Sequence, residues 1–154
     1  EFIFAFPAFN MRNTELGAIL GRNQLKRLDA NNEKRRKNFK LFLKLLNSEK
    51  YQTEFDLGGS CNYAFNLILN KPDFKFCNKV MAKLKEHGVE FRRGSAGGGN
   101  QLRQPYLRGV VNENEFKKYP IVEHVHFFGF YIGNYPDLPE EKIRTLCDIL
   151  NKIN

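Results

Sequence analysis

NYAFNLILNKPDFKFCNKVMAKLKEHGVEFRR, residues 62–93, changes its hydrophobic period twice. Tyr63, Phe65, Leu67 and Leu69 occupy alternate positions, the pattern of a strand over 62–69 with one face buried. Asp73 then stands where a helix N-cap belongs. Cys77, Val80, Met81 and Leu84 follow at i, i+3, i+4 and i+7 until Gly88 supplies a stop. His87, beside that stop, suits the negative end of a helix. Alternation resumes over 89–93, with Val89 and Phe91 pointing inward. Strand, helix and strand in this order belong to one sheet.

Working outward, 14–46 holds few helix breakers beyond Gly17 and Gly21, with Asn13 or Thr14 as N-cap and Glu15 in the first turn. The spacing predicts one long helix or two abutting ones. Its apolar positions Leu16, Ile19, Leu20, Leu25, Leu28, Phe39, Phe42, Leu43 and Leu46 recur at three- and four-residue intervals and are expected to form a buried stripe. Downstream, 94–104 has four glycines and no apolar period, which makes it a loop. Residues 119–128 fit either a short helix opened by Pro120 or a strand, the helix being favoured, followed by a short strand over 130–132. A closing helix begins at Pro139, taken as its first position, with Glu140 and Glu141 in the first turn and Ile143, Leu146, Cys147 and Leu150 as its stripe. The expected fold class is α+β: a long N-terminal helix plus a small, mainly antiparallel sheet with helices packed on one side.

The 154 residues suffice for one domain, and 42% hydrophobic with 27% charged residues is an ordinary globular balance. No apolar run approaches the roughly 20 residues that span a bilayer, and no export signal is visible, so a cytoplasmic location without a membrane partner is expected. Cys61, Cys77 and Cys147 are odd in number and far apart, which predicts neither a disulfide framework nor a zinc ribbon. The chain opens inside an aromatic segment, Phe2 to Phe6, without an initiator Met, and is read as a fragment. Its net charge of +8, from 25 Lys plus Arg and 17 Asp plus Glu, favours phosphorylated or polyanionic partners. Much of the excess lies at Lys34-Arg35-Arg36-Lys37, where a solvated helix face is the plainer explanation.

Two stretches are polar in ways that folding alone does not explain. One is FNMRNTE, residues 9–15; the other is EFRRGSAGGGNQLRQPYL, residues 90–107. In the second, arginine forks, amide side chains and a tyrosine flank a glycine-rich backbone that can approach a ligand closely. Arg suits phosphate, Asn and Gln suit sugar hydroxyls, and successive amides near glycine form anion nests. By these features the loop is either a flexible connection or an anion-binding loop. It matches neither a P-loop nor a dinucleotide fingerprint, because no strand feeds the glycines directly into a helix.

NMRNTELGAIL (10–20), NQLKRL (23–28), RRKNF (35–39) and RRGSAGGGNQLRQPYL (92–107) resemble segments of the DegT/DnrJ/EryC1/StrS family of sugar aminotransferases. The last is most similar to the branch that dehydrates GDP-linked 4-keto-6-deoxy sugars for lipopolysaccharide and O-antigen. The resemblance runs from Pro7 to Ile153. It implies the small C-terminal domain of an aspartate-aminotransferase-type, pyridoxal-phosphate fold, with 1–13 a remnant of the segment joining the large domain and 14–154 the small domain. It further implies a homodimer, with active sites between subunits. A nucleotide-sugar substrate and glutamate as amino donor to the cofactor, as pyridoxal or pyridoxamine 5'-phosphate, are implied with it. The lysine that anchors the cofactor, or the histidine replacing it in the dehydratase branch, is expected upstream of Glu1, so no catalytic residue is assigned within the chain.

By the same resemblance Asn10 matches the asparagine that reaches the cofactor phosphate of the neighbouring subunit. Phe9 stands where the family has tyrosine, and no hydroxyl role carries over. Arg92, Arg93, Asn100, Gln101, Arg103 and Tyr106 are candidate contacts to substrate or to the opposing subunit. His126 joins them because the family places its region near the sugar. His124 and His126 lack a third ligand, so no metal is expected. Two other functions remain to be weighed: a sugar 4-aminotransferase of the same family, and a basic nucleic-acid-binding module, which requires exposed aromatics beside the basic residues.

Overall fold

In the computed structural model, which describes residues 3, 5, 6, 13–94 and 99–154, residues 62–93 fold as their periods predict. Strand β1 covers Ala64–Ile68, helix α3 covers Phe74–Glu86 and strand β2 covers Phe91–Arg92. Asp73 caps α3 by accepting from the amides of Lys75 at 2.8 Å and Phe76 at 3.0 Å. Gly88 leaves the helix at φ +67, a conformation that costs glycine little, with His87 as C-cap. Phe65, Leu67 and Leu69 are buried, whereas Tyr63 is exposed. Asn62, at φ 48, bends the chain just before the strand, and Tyr63 meets the ring of Tyr131 at 5.4 Å instead of the core.

Upstream, Thr14 caps helix α1 (Glu15–Leu25), and a break at Lys26-Arg27 separates it from α2 (Leu28–Leu45). Downstream, short 3-10 turns at Gln101–Arg103, Pro105–Leu107 and Glu115–Lys118 lead to α4 (Pro120–Phe128) and β3 (Gly129–Gly133). Helix α5 spans Glu140–Asn151, with Pro139 as its N-cap and not, as expected, its first residue. The sheet is antiparallel with order β1-β3-β2, so the last strand in sequence becomes the central one.

Register separates the two faces of the sheet. Phe65, Ile132 and Phe91 form one row, with Leu67 and Phe130 paired beside it. Asn66, Tyr131 and Arg92 form a row on the other face. The first face packs on Phe39 and Phe42 of α2, Val80 and Leu84 of α3, and Ile143 and Leu150 of α5. Phe42 stacks on Phe65 with 4.6 Å between ring centroids. Tyr51 is wholly buried and its hydroxyl donates to the Leu150 carbonyl at 2.8 Å, joining the α2–β1 connection to α5.

The buried stripe predicted for the N-terminal helices holds only for its second half. Phe39, Phe42 and Leu46 are in the core, but Leu16, Ile19, Leu20, Leu25 and Leu28 are exposed, and α1 has no buried residue. Periodicity marks a face that favours an apolar neighbour. No other described residue covers that face. No helix among the described residues is long and apolar enough to cross a membrane.

Candidate functional site

The glycine-rich loop leaves β2 and returns beside α4. Gly94 adopts φ +59, and the Gly99 amide donates to its carbonyl at 2.8 Å, closing the loop at its base. A Cβ on Gly99 would fall 2.6 Å from the Gly94 oxygen and 2.6 Å from His126 Nδ1, so only glycine fits. Residues 95–98 lie outside the described residues, as does Asn10.

The returning strand of the loop is tied to α4 by polar groups. The Asn100 amide donates to His126 Nδ1 at 3.1 Å, which makes Nδ1 the acceptor and places the proton of the neutral ring on Nε2. Asn100 Nδ2 donates to Glu123 Oε1 at 2.8 Å, and its Oδ1 accepts from the Leu102 amide at 3.0 Å. Arg103 grips the same carboxylate with a fork: Nε donates to Oε1 at 2.8 Å and Nη2 donates to Oε2. Its guanidinium lies 4.2 Å from the ring centre of Phe116 and 4.8 Å from that of Phe127. The Arg103 hydrogen bond, with help from Asn100, holds the Glu123 carboxyl below the usual carboxylate range although burial opposes it. Charge-assisted, two-pronged pairing between aromatic rings is among the better-oriented arrangements available to these side chains.

The predicted residues thus divide. Asn100, Arg103 and His126 meet at Glu123. Arg93 reaches the C-terminal end of α4, donating to the Phe127 carbonyl, contacting Met81 Sδ at 2.9 Å and lying 4.9 Å over the Phe130 ring. Arg92 points to the opposite face of the sheet, 5.8 Å over Tyr131, where it lines a cleft of about 760 Å³ with Lys85 and Glu90. Burial and the hydrogen bond that the Tyr131 hydroxyl makes to Tyr63 raise it above its ordinary range. Gln101 is exposed and Tyr106 half-buried on the two short turns after the loop. A second hollow, of about 250 Å³, opens there between Arg103, Arg108 and Phe116.

His124 does not share the site: its Nε2–H donates to the Leu69 carbonyl at 2.6 Å and its ring lies 5.2 Å from Phe128. No cluster of three or more His, Cys, Asp or Glu able to hold a metal occurs among the described residues. The sequence reading missed Glu123, Phe116 and Phe127. In sequence Glu123 is only an acidic residue in the first turn of a helix, and its role depends on partners 20 and 23 positions away.

Residues 2–151 match the DegT/DnrJ/EryC1/StrS aminotransferase family, nearly the whole chain. The chain belongs to this family. Among DegT/DnrJ/EryC1/StrS relatives it is 30% identical over 153 residues to a GDP-4-keto-6-deoxy-D-mannose 3-dehydratase of Yersinia pseudotuberculosis, covering 99% of this chain and 38% of that protein. It is 25% identical over 151 residues to the enzyme of that name from Escherichia coli O55:H7, covering 97% and 38%. The chain therefore spans 38% of the length of these curated relatives. The fold is similar to that of a GDP-4-keto-6-deoxymannose-3-dehydratase solved with a trapped PLP-glutamate geminal diamine. That match has TM-score 0.69 and 23% identity, over 96% of this chain and 38% of the other. An E. coli structure of the dehydratase with bound hydrated PLP also gives TM-score 0.69 and 23% identity, over 97% and 38%. The α+β class with a small antiparallel sheet is accordingly the fold of the matched part of these solved structures.

Proposed function

We propose that this chain is the C-terminal small domain, residues 14–154, of a pyridoxal-phosphate-dependent enzyme that removes the C3 hydroxyl of a GDP-linked 4-keto-6-deoxy sugar. The enzyme acts as a cytoplasmic homodimer in the supply of lipopolysaccharide sugars, with no membrane partner. The observation that carries this reading is the 30% identity to a dehydratase of that specificity across 99% of the chain, within a family match over 2–151.

The donor set supports a ligand-facing part and not a cofactor anchor. Every lysine is exposed except Lys50, and Lys50 donates its Nζ to the carbonyls of Asn151 at 3.0 Å and Ile153 at 2.7 Å. The lysine that anchors the cofactor aldehyde, or the histidine that replaces it in a dehydratase, is therefore to be sought in the rest of the protein. Within this chain Asn10 would reach the cofactor phosphate. When bound, pyridoxal phosphate, converted to its amine form by glutamate, supplies the electron sink for the bond cleavage. Arg92, Gln101, Arg103 and Tyr106 are the groups proposed to meet the nucleotide sugar or the opposing subunit. Arg93, Asn100 and His126, tied to the protein interior, hold the loop that presents them. Fixing these donors before binding lowers the ordering cost of recognising a diphosphate and sugar hydroxyls.

The test is to incubate the full-length gene product with pyridoxal phosphate, glutamate and GDP-4-keto-6-deoxymannose. The expected product keeps the C4 ketone and lacks one oxygen, with ammonia and 2-oxoglutarate released. A product retaining nitrogen at C4 would establish the second reading, a sugar 4-aminotransferase, which the family's own description favours. Neither product overturns both. The nucleic-acid reading is not favoured, since Phe39, Phe42 and Phe65, the aromatics nearest the basic helix, are buried in the core.

A further inference from the structure

We propose that Glu123 is a positioning residue for ligand recognition. By holding Asn100 and Arg103 on one carboxylate, it fixes the stem from which the glycine-rich loop leaves and the arginine wall of the neighbouring hollow. The inference rests on the functional reading above, and it assigns a role to a residue that no motif marks.

Three observations converge on it. First, the carboxylate is shared: Oε1 accepts from Asn100 Nδ2 and from Arg103 Nε, both at 2.8 Å, and Oε2 accepts from Arg103 Nη2. Glu123 thereby links the third residue of the 3-10 turn to the residue that caps it, and both to α4. Second, the tie is enclosed on its protein side. Asn100 and His126 are 2% and 7% exposed and the Glu123 side chain is 18% exposed, while the Arg103 side chain, 31% exposed, is held against Phe116 and Phe127. Water reaches the pair only past Arg103, and the fork and the two rings together hold its geometry between binding events. Third, the tie adjoins the loop base without slack. Gly99 has no room for a Cβ against Gly94 and His126, and the next amide along the chain already donates to His126. A change at Glu123 is thus transmitted to the loop stem and to Arg103, which lines the hollow of about 250 Å³ together with Arg108. The carboxylate itself lies behind its partners and acts through them, as groups that orient ligand-binding residues commonly do.

The test compares Glu123→Gln with the wild type in the full-length gene product, measuring guanosine diphosphate binding by calorimetry and KM and kcat for the nucleotide sugar. A positioning role predicts a Kd for guanosine diphosphate and a KM that rise about tenfold or more, with kcat within about threefold, the pattern of lost binding that is uniform between ground and transition states. A merely structural role would lower the active fraction and hence kcat while leaving Kd and KM in place, and that outcome overturns the proposal. Should Glu123→Gln fail to fold, Glu123→Asp keeps the charge but shortens the reach to Asn100 and Arg103, and is judged by the same split. A wild-type protein that does not bind guanosine diphosphate overturns the functional reading as well. Wild-type binding with an unaltered variant overturns only the role of Glu123.

Discussion

Helices α1 and α5 carry the same kind of apolar stripe and arrive at opposite fates. In α5, Ile143 and Leu150 are 0% exposed, whereas in α1 Leu16 and Leu20 are 73% and 65% exposed. Both are amphipathic and both carry acid in the first turn, and the better-capped of the two at its N-terminus is α1, through Thr14. The difference is the neighbour: α5 packs against α2, α3 and the sheet, while α1 extends beyond them. The chain spans 38% of the length of this relative, and an exposed apolar stripe of this kind is a common mark of a surface that meets a neighbour.

The sharpest way to break this contrast is to truncate matched leucines. Leu150→Ala in α5 is expected to cost about 2–5 kcal/mol by urea denaturation, because it opens a cavity in a closed core. A smaller loss, about 1–3 kcal/mol, is expected from Gly99→Ala, whose added methyl collides with the Gly94 carbonyl and the His126 ring. Next comes a pH-dependent effect. The folded-state pKa of Glu123 lies below its unfolded value, so its pairing stabilises fully above the unfolded pKa and is lost as pH falls through the folded one. The stability difference between wild type and Glu123→Gln should accordingly be largest near neutrality and shrink below about pH 4, as measured by denaturation midpoints across that range.

On the open helix the sign reverses. Gly21 in α1 has nothing within 4 Å of an added Cβ, so Gly21→Ala should stabilise by about 0.5–1 kcal/mol through backbone entropy alone. Smallest of all, Leu20→Ala should change the stability of the 154-residue chain by no more than about 0.5 kcal/mol. The same substitution in the full-length protein should lower its thermal midpoint by several degrees. Equal effects of Leu20→Ala and Leu150→Ala in the short chain would show that α1 is covered after all.

Much of the architecture was legible because its signals are local. Asp73 as a cap, Gly88 as a stop, the alternation over 65–69 and the stripe on α5 each follow from side-chain chemistry within one turn or one pleat. The loop was legible as a polar, glycine-rich feature for the same reason. What it does with its donors was not. Arg92 and Arg93 are adjacent in sequence, yet the pleat sends one over Tyr131 on the open face and the other to the Phe127 carbonyl. Tyr63 follows the strand period but is turned out by the bend at Asn62.

From its amino acids alone this protein determined its helices, its strands, the glycine stop after α3, the glycine-rich loop and its kinship, since these depend on propensity, period and motif within short reach. Tertiary structure alone decided that β3 lies at the centre of the sheet, that the stripe of α1 is left exposed among the described residues, and that Glu123 joins Asn100 to Arg103. Each of these depends on which distant surfaces meet, and contact between residues far apart in sequence is settled only when the whole core closes.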